Sequence, residues 1–335
     1  VNRLKKAQKK KKKQKKKKLN NPWRDVMKVL LPIDGSIYSD RAVEYICEHS
    51  SLRAKTDTVY LLNVQKKLPS EFASKIPNSE EILDEAAKKI LKPAKKALEA
   101  AGYKVKMKVA YGKATNRIVE YAQEIPATLI VMGSHGHTPV KGILLGSKTS
   151  SVLASTSIPL LVVRHKFYQK PGRTEVGVCL DGSEYSPAVL TFIKRRLPLF
   201  AKDARFHLIN VASPQNGLLI PEVSAFGAPA LSSEEFEKEQ REPFFKIAKP
   251  FENYMQEKGH EVVEALLTGD PAAQISMYAQ EHNLSLMVMG THGGSSLRIM
   301  MLGSVTMSVA SQTKLPMLLV HHDDPTLLRD LSKEE

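Results

Sequence analysis

Cysteine is nearly absent: Cys47 and Cys179 are the only two in 335 residues, and no CxxC pair exists to hold a metal or form a redox couple. Both read as buried small apolar side chains of a reducing compartment. No apolar run approaches the roughly 20 residues that a membrane span requires, and the amino-terminal lysines have no apolar signal core behind them. The expectation is a cytoplasmic protein without a transmembrane segment. Neither a G-x4-G-K-[ST] loop nor a Ser-Gly-Gly pyrophosphatase loop occurs, which argues against two large classes of nucleotide-cleaving enzyme. Acid is missing from residues 1–20, which hold eleven lysines and Arg3, so twelve of the fifteen net positive charges lie there. The remaining chain carries only +3. With neither a basic patch nor an aromatic platform, that body gives no sign of reading nucleic acid.

A block of like charge repels itself and buries nothing, so residues 1–22 are expected to form a disordered tail. Such a tail could touch nucleic acid or an anionic surface by releasing counterions, although a merely solvated extension is the plainer reading. Residues 324–335 read as an acidic tail.

What is present is present twice. Leu31-Pro32-Ile33-Asp34-Gly35-Ser36 matches Val178-Cys179-Leu180-Asp181-Gly182-Ser183, and Leu62-Asn63-Val64 matches Ile209-Asn210-Val211. Further on, Gly133-Ser134-His135-Gly136 with Gly146-Ser147 returns as Gly290-Thr291-His292-Gly293 with Gly303-Ser304. The offset grows from 147 to 157, so the second half carries ten extra residues, expected in the Gly/Pro-rich stretch 214–233. Short apolar runs alternate with helical patterns, as in a parallel sheet covered by helices. Strands are expected near 26–33, 58–65, 103–111, 128–133 and 159–164, then near 174–180, 205–212, 260–268, 285–290 and 316–320. In the first half, helices are expected near 39–50, 79–101, 114–124 and 147–156. Leu129-Ile130-Val131-Met132 and Leu286-Met287-Val288-Met289 lack alternation, as strands buried on both faces do. The fold class is therefore α/β, with two tandem doubly wound, five-stranded parallel domains at 23–165 and 174–323 and a linker at 166–173.

In such sheets ligands bind beyond the carboxyl ends of the strands, where strand order reverses. Gly133 and Gly290 end the fourth strands, and Gly136 and Gly293 allow a tight turn beside a ligand. Gly146-Ser147 and Gly303-Ser304 open the next helix, whose unpaired N–H groups and partial positive charge suit a phosphate chain. Asp34 and Asp181 end the first strands, where a carboxylate can accept from a nucleoside or help hold a metal. Equally, Asp-Gly-Ser can simply turn the chain and cap a helix. Val64 and Val211 end the second strands, placed for main-chain contact with a purine edge or as plain core.

These residues resemble the universal stress protein family in its ATP-binding branch, from about Met27 to His322. The resemblance implies an adenine-nucleotide-alpha-hydrolase-like fold and ATP, with or without Mg2+, as ligand. It assigns Asp34, Gly133, Gly136, Gly146 and Ser147 to one site and Asp181, Gly290, Gly293, Gly303 and Ser304 to another. It also implies that the last strands, 159–163 and 316–320, pair the two halves within one chain, with further homodimerisation open.

The halves are not copies. Gly269-Asp270-Pro271 offers a helix cap and a first-turn proline, whereas Gly112-Lys113-Ala114 has neither. Lys148 follows Ser147 where Val305 follows Ser304, adding a cation to the first phosphate site only. His135 and His292 occupy equivalent loop positions and are expected to bond neighbours or nucleotide rather than catalyse, since no second titratable group orients them. His137, Lys141, Arg298 and the run His321-His322-Asp323-Asp324 are weaker candidates for phosphate or metal contact. The expected function is a nucleotide-dependent regulator or stress-response factor with little or no hydrolysis. A slow ATPase or nucleotidyl-transfer enzyme is the alternative, and binding of nucleic acid or membrane surface through the tail is a third.

Overall fold

The computed structural model describes residues 27–49, 56–68, 71, 75, 78–135, 145–165, 173–183, 185–212, 233–291 and 302–321. The lysine tail, most of the linker, the acidic tail, and Gly136, His137, Lys141, His292, Gly293, Arg298, His322, Asp323 and Asp324 lie outside them.

The first half runs β1 (Met27–Pro32), α1 (Ile37–Glu48), β2 (Thr56–Gln65), α2 (Ser79–Ala100), β3 (Val105–Tyr111), α3 (Ala114–Glu124), β4 (Leu129–Gly133), α4 (Ser147–Ala154) and β5 (Leu160–Val163). The second repeats that order as β6 (Glu175–Cys179), α5 (Ser186–Arg195), β7 (Arg205–Ala212), α6 (Ser233–Glu257), β8 (Glu261–Thr268), α7 (Pro271–Glu281), β9 (Leu286–Gly290), α8 (Ser304–Gln312) and β10 (Met317–Val320). A short 3-10 turn, Leu197–Leu199, follows α5. The ten extra residues divide between two places. The connection from β2 to α2 takes residues 66–78 but that from β7 to α6 takes 213–232, which is seven more. The remaining three lengthen α6 to 25 residues against 22 in α2.

All ten strands form one sheet in the order β3-β2-β1-β4-β5-β10-β9-β6-β7-β8. Pairing is parallel within each half. It is antiparallel where β5 meets β10, with Leu161 opposite Leu318. Strand order therefore reverses between β1 and β4 and again between β6 and β9, opening a crevice at the carboxyl end of each pair. The apolar runs explain the layering, because successive residues point to opposite faces. Val29 and Leu31 pack into one core with α1, α2, α5 and α6, through Ile46, Leu91, Val189 and Phe251. Leu30 enters the other core with α3, α4, α7 and α8, through Ile118, Val152, Ile275 and Val309. Both cores draw residues from both halves.

Central β4 is buried at every position, whereas Lys106, Met107 and Lys108 of edge strand β3 are exposed. Cys47 and Cys179 are only partly buried, one against each core, which corrects the expectation of full burial. Burial, with Glu48 and Glu44 nearby, holds the Cys47 thiol above its ordinary range, and burial alone does so for Cys179. Among the described residues no helix is long and apolar enough to cross a membrane.

Candidate functional site

Each crevice is built by four segments: the turn after the first strand, the end of the second, the end of the fourth, and the start of the helix that follows the glycine excursion. In the first half the turn is held by its own residues. The Ser36 amide donates to Asp34 Oδ1 at 3.0 Å, Gly35 takes φ +80°, and Ser36 caps α1 by accepting from the Ser39 amide at 3.3 Å. The same turn in the second half centres on Asp181, whose Oδ1 accepts from the Ser183 amide at 3.0 Å, Ser183 Oγ at 2.6 Å and Ser186 Oγ at 2.8 Å. The turning role is thus present in both, the side-chain cap only in the first, since α5 has none. Asp34 Oδ2 adds a contact to Lys148 Nζ at 3.6 Å across the crevice.

The glycine excursion begins and ends at one point. Gly146 N–H donates to the Ser134 carbonyl at 2.6 Å, and Gly303 N–H donates to the Thr291 carbonyl at 2.8 Å. The first bond inside α4 runs from Ser150 N–H to the Gly146 carbonyl at 3.0 Å, and in α8 from Met307 to Gly303 at 2.9 Å. Amides 147–149 and 304–306 therefore precede the helical ladder and face outward. Ser147, Lys148, Ser304 and Val305 are exposed at these ends. Helix dipole and amides together make each end favourable to an anion.

Gly133 has a tighter constraint than close approach to a ligand. A Cβ there would stand 2.5 Å from the backbone carbon and oxygen of Tyr38, so glycine lets the first turn of α1 lie on the end of β4. His135 packs its ring 5.3 Å from that of Tyr38, with Nδ1 2.9 Å from Ser134 Oγ. Val64 and Val211 are the next-to-last residues of β2 and β7, half-buried against the second core. Of the expected residues, the structure brings Asp34, Gly133, Gly146, Ser147 and Lys148 together at one crevice. Asp181, Gly290, Gly303, Ser304 and Val305 occupy the matching segments of the other. Among the described residues no three His, Cys, Asp or Glu side chains gather as a metal site.

The universal stress protein family model matches this chain twice, over residues 26–164 and 172–321. The chain belongs to the universal stress protein family. Universal stress protein MJ0577 of Methanocaldococcus jannaschii is 33% identical over 159 residues, covering 42% of this chain and 95% of that protein. Universal stress protein MJ0531 of the same organism is 34% identical over 140 residues, covering 41% and 81%. Among solved structures, a universal stress protein from Archaeoglobus fulgidus aligns with a TM-score of 0.63 at 22% identity, covering 88% of this chain and 96% of that one. That last likeness concerns the fold.

Within this universal stress protein scaffold, two side-chain pairs escaped the sequence reading. Thr149 Oγ1 donates to the Gly133 carbonyl at 3.0 Å and Thr306 Oγ1 to the Gly290 carbonyl at 3.1 Å, tying α4 and α8 each to the strand beside it. Asn63 Nδ2 donates to the Ile33 carbonyl at 2.7 Å and Asn210 Nδ2 to the Leu180 carbonyl at 2.9 Å, fixing the first-strand turns. Both had a signal: each pair recurs at the repeat offset, and an amide inside an apolar strand needs a partner. The helix-cap difference is also visible, since Asp270 accepts from the Ala273 amide at 2.8 Å while Lys113 makes no side-chain cap.

Proposed function

We propose that this protein binds ATP in both halves and acts as a nucleotide-dependent regulator, with little or no hydrolysis. One observation carries the reading: in each half an exposed helix N-terminus opened by Gly-Ser lies at the same crevice as the first-strand aspartate. A phosphate chain would lie against the amides of residues 147–149 or 304–306, with Ser147 or Ser304 adding a hydroxyl. Asp34 or Asp181 would accept from the ribose, and the main chain at Val64 or Val211 would meet the base. A magnesium ion, when present, would be held chiefly by the phosphates, since one aspartate per crevice supplies few oxygens. The β5–β10 pairing suits a unit in which both domains are held in one chain, as the proposed intramolecular pair.

The test replaces the helix-opening hydroxyls by carboxylates, in Ser147→Asp, Ser304→Asp and the double variant. An acid in the first helical turn complements the dipole, so folding is retained while phosphate is repelled. Calorimetric titration with ATP should show two binding events in the parent, one in each single variant and none in the double. Absence of adenine-nucleotide binding in the parent would defeat the reading. Steady ATP turnover that disappears in the double variant would move the protein to the enzyme class.

A further inference from the structure

Lys148 occupies the second residue of α4, where a cation opposes the positive end of the helix dipole. Val305 stands at the matching place in α8 without that conflict. The Lys148 ammonium reaches across to Asp34 Oδ2 at 3.6 Å, beyond hydrogen-bond length, and the two side chains keep 54% and 32% of their exposure. A contact this long and this wet is weak and readily exchanged. It nevertheless joins the two ends of the crevice, because Asp34 follows β1 and Lys148 opens α4.

Resting on the nucleotide reading above, we infer that Lys148 makes the first site selective for polyphosphate nucleotides, by exchanging its contact with Asp34 for one with the phosphate chain. A triphosphate relieves the clash between Lys148 and the helix end and, in the same step, releases the Asp34 oxygen toward the ribose. Adenosine brings no anion, so reaching Asp34 means giving up the ammonium without replacement. The first site thus discriminates by the number of phosphates. The second, with Val305, relies on helix amides and Ser304 alone and has a flatter preference.

The sites are read separately, using Ser304→Asp with Asp181→Ala, which removes the ribose acceptor as well as repelling phosphate, to leave the first. Ser147→Asp with Asp34→Ala leaves the second. Calorimetry with ATP, ADP, AMP and adenosine then measures how affinity grows with phosphate number. In the Ser304→Asp, Asp181→Ala background, Lys148→Val should lower the ratio of ATP to adenosine affinity roughly tenfold or more, with Lys148→Arg retaining it. Lys148→Gln reads the same ratio if valine disturbs the helix. In the Ser147→Asp, Asp34→Ala background, Val305→Lys should raise that ratio. Equal changes for ATP and adenosine, or none, would overturn the inference while leaving nucleotide binding intact. No binding of any of the four by the parent would instead remove the reading on which it rests.

Discussion

Gly133 and Tyr38 lie in contact so close that a Cβ on the glycine would stand 2.5 Å from the tyrosine carbonyl oxygen. The obstacle is backbone, which cannot swing aside. Gly133→Ala is therefore expected to cost at least about 2 kcal/mol in urea unfolding by forcing α1 off the sheet. At Gly146 the nearest atom to a Cβ is the Ser134 carbonyl oxygen at 3.0 Å, so Gly146→Ala should cost less. Equal losses would show that the α1 contact is not what Gly133 protects.

The two cap positions before α3 and α7 share their backbone geometry, Lys113 with φ −74° and ψ 120° and Asp270 with φ −68° and ψ 120°. Only the aspartate caps. Asp270→Ala should lose about 1 kcal/mol, and Lys113→Asp should gain about 0.5–1 kcal/mol by supplying the missing acceptor. Urea midpoints of both variants check this pair of opposite signs.

Acid should weaken the second half through His207. Its ring is buried, with Nδ1 2.8 Å from the Tyr278 hydroxyl and Nε2 2.8 Å from Glu175, which also binds Arg205. Burial holds the imidazole below its ordinary value of 6.5, outweighing the bond to Glu175, with Arg205 and His282 adding to the depression. The unfolded chain therefore takes up the proton first, and stability falls as pH drops below about 6.5. Glu175 is raised by burial but held lower still by Arg205 and His207, so its own contribution is lost only below its ordinary 4.5. Between pH 7 and 5, His207→Asn should show a smaller fall in urea midpoint than the parent. Half-buried His49 and the more exposed His165, both also depressed chiefly by desolvation, leave part of the slope. An unchanged slope would exclude His207 as the group responsible.

Leu318 of β10 faces Leu161 of β5, and they are 3% and 4% exposed. Leu318→Ala should cost about 2–5 kcal/mol. Because each core continues through both halves, scanning calorimetry should show one shared transition shifted downward. A second, unmoved transition would mean that the halves unfold independently.

Much of this was legible in the chain. Every expected strand lies within two residues of an observed one, because an apolar run bounded by glycine, proline or charge is a local signal. The paired Gly-Ser helix openings were legible for the same reason. Other residues were read in part. Gly133 showed as a glycine at a strand end, yet its neighbour Tyr38 lies nearly a hundred positions earlier. Thr149 and Asn63 recurred in the repeat, but nothing adjacent in sequence names their carbonyl partners.

The sequence alone determined a duplicated α/β chain with two helix-opening glycine loops, since hydrophobic periodicity and glycine spacing act over a few residues. Tertiary structure alone decided which groups meet. It laid β5 against β10 in a single ten-stranded sheet, set Tyr38 on Gly133, and brought Lys148 across to Asp34 from more than a hundred residues away. Those contacts depend on strand order, and strand order is settled by burying all the apolar faces at once, a property of the whole chain and of no segment within it.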